Sequence, residues 1–121
     1  MVVCDAIWTD PGTNKHTLLG TFTEITAQEF PVMHRHLAVY VEATGGRGKM
    51  PIVIRGVDAD ENHEVFKIEA EATANDPRSV LQLSFNIPVV EFPEAGEYRI
   101  QFYANGEFMV ERRILLKPVE K

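Results

Sequence analysis

The segment from Glu94 to Leu116, EAGEYRIQFYANGEFMVERRILL, constrains the fold more than any other. Two runs of alternating apolar and polar residues flank Asn105-Gly106, a dipeptide that tolerates the positive φ values of a tight hairpin turn. Two registers compete. A two-residue turn on Asn105-Gly106 pairs Ile100 with Glu111 and sets a carboxylate on the apolar face. A three-residue loop, with Ala104 and Asn105 in a type I turn and Gly106 left-handed, pairs Phe102 with Phe108 and Ile100 with Val110. It also sets Arg99 opposite Glu111 and Glu97 opposite Arg113. Matched apolar partners and opposite charges both stabilise a ladder, so the three-residue loop is the expected register.

The same period of two runs through most of the chain. Val2–Trp8, His16–Ile25, Leu37–Glu42, Pro51–Arg55, Glu64–Ala74 and Leu81–Ile87 all read as strands, separated by turn chemistry such as Asp10-Pro11-Gly12 and Gly45-Gly46-Arg47-Gly48. Glu64–Ala74 is rich in helix formers, but Phe66, Ile68, Ala70 and Ala72 recur at every second position, which a helix would scatter around its axis. Only Thr26–Phe30 offers a helical turn. About eight short strands at regular spacing predict an all-β fold, an antiparallel Greek-key sandwich over residues 1–121 as one domain. Ahead of the penultimate strand, Glu94-x-Gly96-x-Tyr98-x-Ile100 resembles the D-x-G-x-Y-x-C opening of strand F in immunoglobulin-like domains. There a tyrosine hydroxyl closes a corner on upstream backbone. Ile100 stands in place of the cysteine, and Trp8, the single tryptophan, lies on the first strand and not on strand C. The resemblance therefore implies an immunoglobulin-like sandwich without its disulfide.

A length of 121 residues is enough to bury roughly two thirds of the unfolded surface. The formal charge of −6 disfavours phosphate backbones and anionic headgroups, so neither nucleic acid nor membrane is expected as a partner. Arg47-Gly48-Lys49 and Arg112-Arg113 are the two places where a basic patch would form. A lone cysteine, Cys4, forms no intramolecular disulfide and suits a reducing compartment, so a cytoplasmic location is expected. Asp5 and Asp10 interrupt the start of the chain, no basic-then-apolar leader is visible, and no run approaches the ~20 apolar residues of a membrane helix.

Several motifs imitate chemistry. Asp58, Asp60, Asn62 and Glu69 fall at positions 1, 3, 5 and 12 of a calcium loop, but His63 replaces the glycine of the sharp turn and strands replace the flanking helices. Gly46-Arg47-Gly48-Lys49 imitates a phosphate loop, yet Ala43 stands for its first glycine, Met50 for its hydroxyl, and Pro51 opens a strand. His34 and His36, two apart in an extended segment, project to one side about 7 Å apart at the backbone and suit two ligands of one metal. No spacing identifies a third ligand. Solvated histidines at a strand entry are the plain reading, and neither a metal nor a cofactor is expected. Cys4, among Val2, Val3 and Ala6, reads as a buried thiol, and Ser79 and Ser84 lie on a strand and not at a nucleophile elbow. Asp5 is acidic in an apolar strand, either exposed on an edge or held by a basic partner such as Lys15.

Cys4-Asp5-Ala6, Lys15-His16-Thr17-Leu18-Leu19-Gly20-Thr21-Phe22, Phe30-Pro31 and Phe92-Pro93-Glu94-Ala95-Gly96-Glu97-Tyr98 together resemble a family of small bacterial proteins of unknown function. Its members open with an Asp-containing strand, then a Gly-Lys-x-x-x-x-Gly hairpin and a Phe-Pro. Here Asn14 takes the place of the glycine before Lys15. The resemblance implies a bacterial single-domain sandwich and no catalytic residues. The function expected is that of a non-enzymatic interaction module, meeting a protein partner or a second copy through an edge strand. Tyr40, Tyr103 and Met109 are contact residues if they cluster. The competing expectation is a metal- or small-ligand-binding protein, or an enzyme, built on His34 and His36. A carbohydrate-binding sandwich needs a row of exposed aromatics, and a single tryptophan supplies little of one.

Overall fold

A computed structural model describes residues 1–61 and 63–119. Among them there is no helix, and the fold is all-β. The strands are β1 (Val2–Thr9), β2 (His16–Thr21), β3 (Glu24–Ala27), β4 (Val32–His34), β5 (Leu37–Ala43), β6 (Gly48–Asp58), β7 (Glu64–Ala74), β8 (Leu81–Ile87), β9 (Val90–Phe92), β10 (Gly96–Ala104) and β11 (Glu107–Pro118). They build a four-stranded sheet, β2-β1-β5-β8, and a five-stranded sheet, β3-β11-β10-β6-β7, with a small β4-β9 ribbon beside them. Every pair is antiparallel except β3 with β11.

Alternation explains how the layers meet. Leu37, Val39 and Val41 of β5 and Phe85 and Ile87 of β8 face Ile52 and Ile54 of β6, Ile100 and Phe102 of β10, and Ile114 and Leu116 of β11 in one core. Glu64–Ala74 is a strand, as its period requires, and Thr26–Phe30 forms no helical turn. The stretch read as a single strand from His16 to Ile25 breaks at Phe22-Thr23 and changes sheet, so β2 pairs β1 while β3 runs parallel to β11. Phe30-Pro31 is cis.

The closing hairpin differs from the expected register. Ala104 pairs Glu107 around a two-residue turn, with φ of 53° at Asn105 and 77° at Gly106. Both residues being left-handed makes this the turn whose twist matches that of the strands. Tyr103 then pairs Phe108, but Phe102 pairs Val110, so Met109 is an unpaired bulge. The bulge restores the alternation that the short turn alone would invert, and Ile100 lies opposite Arg112. Beyond the bulge the pairing is displaced by two residues from the expected ladder, which leaves Val110 and Glu111 on their expected faces. Phe108, expected opposite Phe102 on the core face, instead lies opposite Tyr103 on the outer face and is exposed, because the short turn inverts the two residues before the bulge. The expected charge partners persist as diagonals: Arg99–Glu111 at 3.7 Å and Arg113–Glu97 at 3.5 Å.

At the entrance to β10 the tyrosine corner is formed. Tyr98 is buried, its hydroxyl donates to the Glu94 carbonyl at 2.7 Å, and its ring meets Phe92 edge-on at 4.9 Å. Burial pushes the Tyr98 hydroxyl above its ordinary pKa. The two facing sheets, with β5 paired to β8 in one and β6-β10-β11 in the other, fit a β-sandwich.

Candidate functional site

The β1-β2 hairpin is bent. Cys4 is level with Ala38 of β5, and Val2 with Tyr40. His16 lies level with Thr9, on the far side of Cys4 from Tyr40. Even so, the His16 and Tyr40 rings are 5.5 Å apart, so the hairpin folds back over the outer face of its own sheet. The bend sits at Asp5 and Gly20. Gly20 has φ of 68°, and the Asp5 carboxylate fills the space a side chain at position 20 would occupy. Asn14, with φ of 60°, adopts the left-handed conformation that a glycine would take at this place before Lys15.

The fold-back accounts for three burials on what would be a solvated face: Cys4 and Ala38 are fully buried and Tyr40 is 9% exposed. Tyr40 is thus not the exposed contact residue expected from its position opposite the core. Its hydroxyl donates to Glu42 at 3.0 Å, and burial together with that bond raises its pKa. The Thr9 hydroxyl bonds His16 Nδ1 at 2.8 Å. An open cleft of about 470 Å³ remains beside the hairpin tip, between Lys15, His16, Tyr40, Glu42 and Gln82. Asp5 itself is exposed, and it lies on a strand flanked on both sides and not on an edge.

Tyr103 belongs to a second surface, the outer face of the five-stranded sheet. Gln101 is its centre and is 2% exposed. Its amide nitrogen donates to Glu61 at 2.7 Å and Glu111 at 3.1 Å, and its carbonyl accepts from Arg55 Nε at 2.9 Å and the Tyr103 hydroxyl at 3.1 Å. Arg55 and Glu111 are its direct partners on the neighbouring strands, so strand register builds the cluster. Arg55 also stacks over the Tyr103 ring at 5.5 Å, and Tyr103 meets Phe108 edge-on at 5.8 Å. Arg99 and Arg113 are directly opposed, and Glu97 bridges them at 3.4 and 3.5 Å. Nothing in the sequence marked Gln101, because a glutamine on a polar strand face carries no periodic or motif signal. Tyr40 and Tyr103 lie on different sheets and do not cluster.

His34 closes β4, and His36 lies beyond it. The His34 ring turns back, Nε2 bonding the His36 carbonyl at 2.8 Å, and packs on Phe22 at 5.7 Å. His34 Nε2 is thereby engaged by local backbone. Among the described residues no group of three His, Cys, Asp or Glu side chains is placed to hold a metal. The calcium-like segment is the β6-β7 hairpin, in which the Glu61 amide donates to the Asp58 carbonyl at 3.0 Å; Asn62 lies outside the described residues. The phosphate-loop imitation is the β5-β6 connection, whose Gly45 amide donates to the Pro77 carbonyl at 2.9 Å. Cys4 is buried with Sγ near the Ala6 and Ala38 carbonyls, and burial pushes the thiol up.

The edges of the sheets differ in character. β3 has four residues, β2 is bent, and β7 carries Glu64, Lys67, Glu69 and Glu71, all of which discourage pairing with another chain. β8 has none of these devices. Its seven residues, Leu81–Ile87, contain no charge, proline or glycine, and its backbone pairs only with β5 among the described residues. The alternation of Leu81, Leu83, Phe85 and Ile87 with Gln82, Ser84 and Asn86 was visible in the sequence; that the strand is an edge was not.

No curated protein matches the chain. The family model of DUF6941, a family of unknown function, matches residues 1–117. The Asp5 strand, the hairpin with Gly20 and the Phe30-Pro31 pair all fall within that span, and the chain belongs to the DUF6941 family.

Proposed function

We propose that the chain is a non-enzymatic, cytoplasmic interaction module of bacteria that binds polypeptide by strand addition at the edge of β8. The observation that carries this reading is the unprotected seven-residue edge, where main-chain hydrogen bonds would supply affinity and the alternating side chains specificity. The lone buried thiol of Cys4 supports the reducing compartment, and the short motifs shared with small bacterial proteins support the source.

Site-specific photo-crosslinking in the native host tests the reading. A photoreactive residue at Ser84 or Asn86 is expected to give polypeptide adducts that map to β8, whereas one at Glu71 on the β7 edge gives none. Absence of adducts at both β8 positions, or equal yield at Glu71, overturns it.

A further inference from the structure

We propose that the strand received by β8 is the β8 of a second copy of this chain, antiparallel to the first about a two-fold axis at Ser84; this rests on β8 being the binding edge. An alternating strand with an odd number of residues reads the same from both ends. Centring the pairing on Ser84 sets Leu81 against Ile87 and Leu83 against Phe85 on the core side, and Gln82 against Asn86 on the outer side. All seven residues then find partners of their own kind along about 23 Å of strand. The register also keeps both cores on one side, so the four-stranded sheets would join into one of eight strands. A shift of one residue would put Ser84 beside Leu83 and force the two cores to opposite sides.

Charge argues for this edge over β3 and β7, and the bend at Gly20 sets β2 aside. Each copy carries −6, so two copies meet at least cost where charge is absent. β8 has none, while β7 would oppose rows of glutamates. The flanks agree. Val80 is 52% exposed and Val89 38%, apolar surface at either end of an uncharged strand. The two-fold would bring Val80 of one copy beside Pro88 and Val89 of the other. Leu81 and Leu83, half-buried at the margin of the core, would gain cover as well. A single added strand is a small interface, so the association is weak and concentration-dependent.

Sedimentation equilibrium of the purified chain over a wide concentration range should show an average mass rising from 13.7 kDa toward twice that value. Ser84→Lys, which sets two ammonium groups against each other at the axis, should remove the rise while circular dichroism reports an unchanged fold. Glu71→Lys on the β7 edge should leave the rise intact. Cysteine scanning fixes the register independently. Ser84→Cys should oxidise to a covalent dimer by itself, because only a residue on the axis meets its own copy. Gln82→Cys and Asn86→Cys should cross-link when mixed and not alone. A chain that stays monomeric at the highest concentration, or a dimer indifferent to Ser84→Lys, overturns the proposal. If β8 adducts still form in the host, the binding edge stands and only the identity of its occupant is wrong; if those are missing too, the edge reading fails with it.

Discussion

The carboxylate of Asp5 lies where a side chain at residue 20 would have to be, and Gly20 is left-handed at φ of 68°. These two residues set the bend that folds the β1-β2 hairpin over Cys4, Ala38 and Tyr40. Gly20→Ala meets both obstacles, an unfavourable backbone and an occupied space. It should destabilise the protein by roughly 2–4 kcal/mol in denaturant titration. Asp5→Ala in the same chain should return part of the loss by clearing the carboxyl group. Strict additivity of the two substitutions would show that they do not meet as described.

The Cys4 thiol, fully buried beneath that hairpin, reports on the bend. Labelling by a thiol reagent near pH 8 should run on the order of a hundredfold slower than in denaturant, since it waits for local opening. Gly20→Ala should speed it. Burial raises the thiol pKa above its ordinary 9.0, so the folded state holds the proton more tightly than the unfolded one. The stability tied to Cys4 is complete below pH 9.0 and is lost as the pH rises through and past that value. Labelling as fast as in the unfolded chain would mean that the hairpin does not cover the thiol.

Met109 is the extra residue that reconciles the two-residue turn with the faces of β10 and β11. Deleting it should leave Tyr103 opposite Phe108 and Phe102 opposite Val110, now in an unbroken ladder, at a loss on the order of 1 kcal/mol. Amide-to-amide contacts measured by NMR across the hairpin would test this. An inverted face, with Glu111 turned to the core, would show that Met109 is not the bulge.

How far the sequence carried this picture varies from residue to residue. Period-two alternation placed Ile100, Phe102, Val39 and Phe85 in the core, because burial of one sheet face is written directly into the order of residues. Gly96-x-Tyr98 located the corner for the same local reason. The hairpin register was missed by two residues because a turn with a bulge and a longer loop give the same alternation from Val110 onward and differ only at Glu107 and Phe108. Tyr40 looked exposed because the hairpin that covers it comes from far upstream and bends at a glycine. The openness of β8 depends on which strands end the sheets, which is a property of topology and not of any one segment. The Gln101 cluster assembles from four separate elements, and no stretch of sequence contains it.

Gln101 donates to two carboxylates and accepts from Arg55 and Tyr103, which no apolar residue of its size can copy. Gln101→Leu should destabilise by about 1–2 kcal/mol, the low end for a buried polar group because its partners can still reach water. Gln101→Glu should be worse at neutral pH, placing a third carboxylate beside Glu61 and Glu111. The folded state disfavours ionisation of that new acid, so its pKa lies above the unfolded value, and stability returns as the pH falls. Urea titrations at two pH values would check this. A Gln101→Glu protein no less stable than Gln101→Leu at neutral pH would mean the amide does not bridge the two acids.

Tyr98 tests the corner. Its hydroxyl donates to the Glu94 carbonyl, so Tyr98→Phe should cost about 1 kcal/mol near pH 7 without altering the core, the ring keeping its edge-on contact with Phe92. Burial raises the phenol pKa above the ordinary 10.0, so the folded state favours the neutral hydroxyl. The sign follows: Tyr98 contributes its full stability below pH 10.0 and loses it as the pH climbs beyond, whereas phenylalanine has no proton to lose. The stability gap between wild type and Tyr98→Phe should therefore narrow on going from pH 7 to above pH 10, measured by denaturant titration at both values. A gap that stays constant would place the hydroxyl in water and not against the backbone of Glu94.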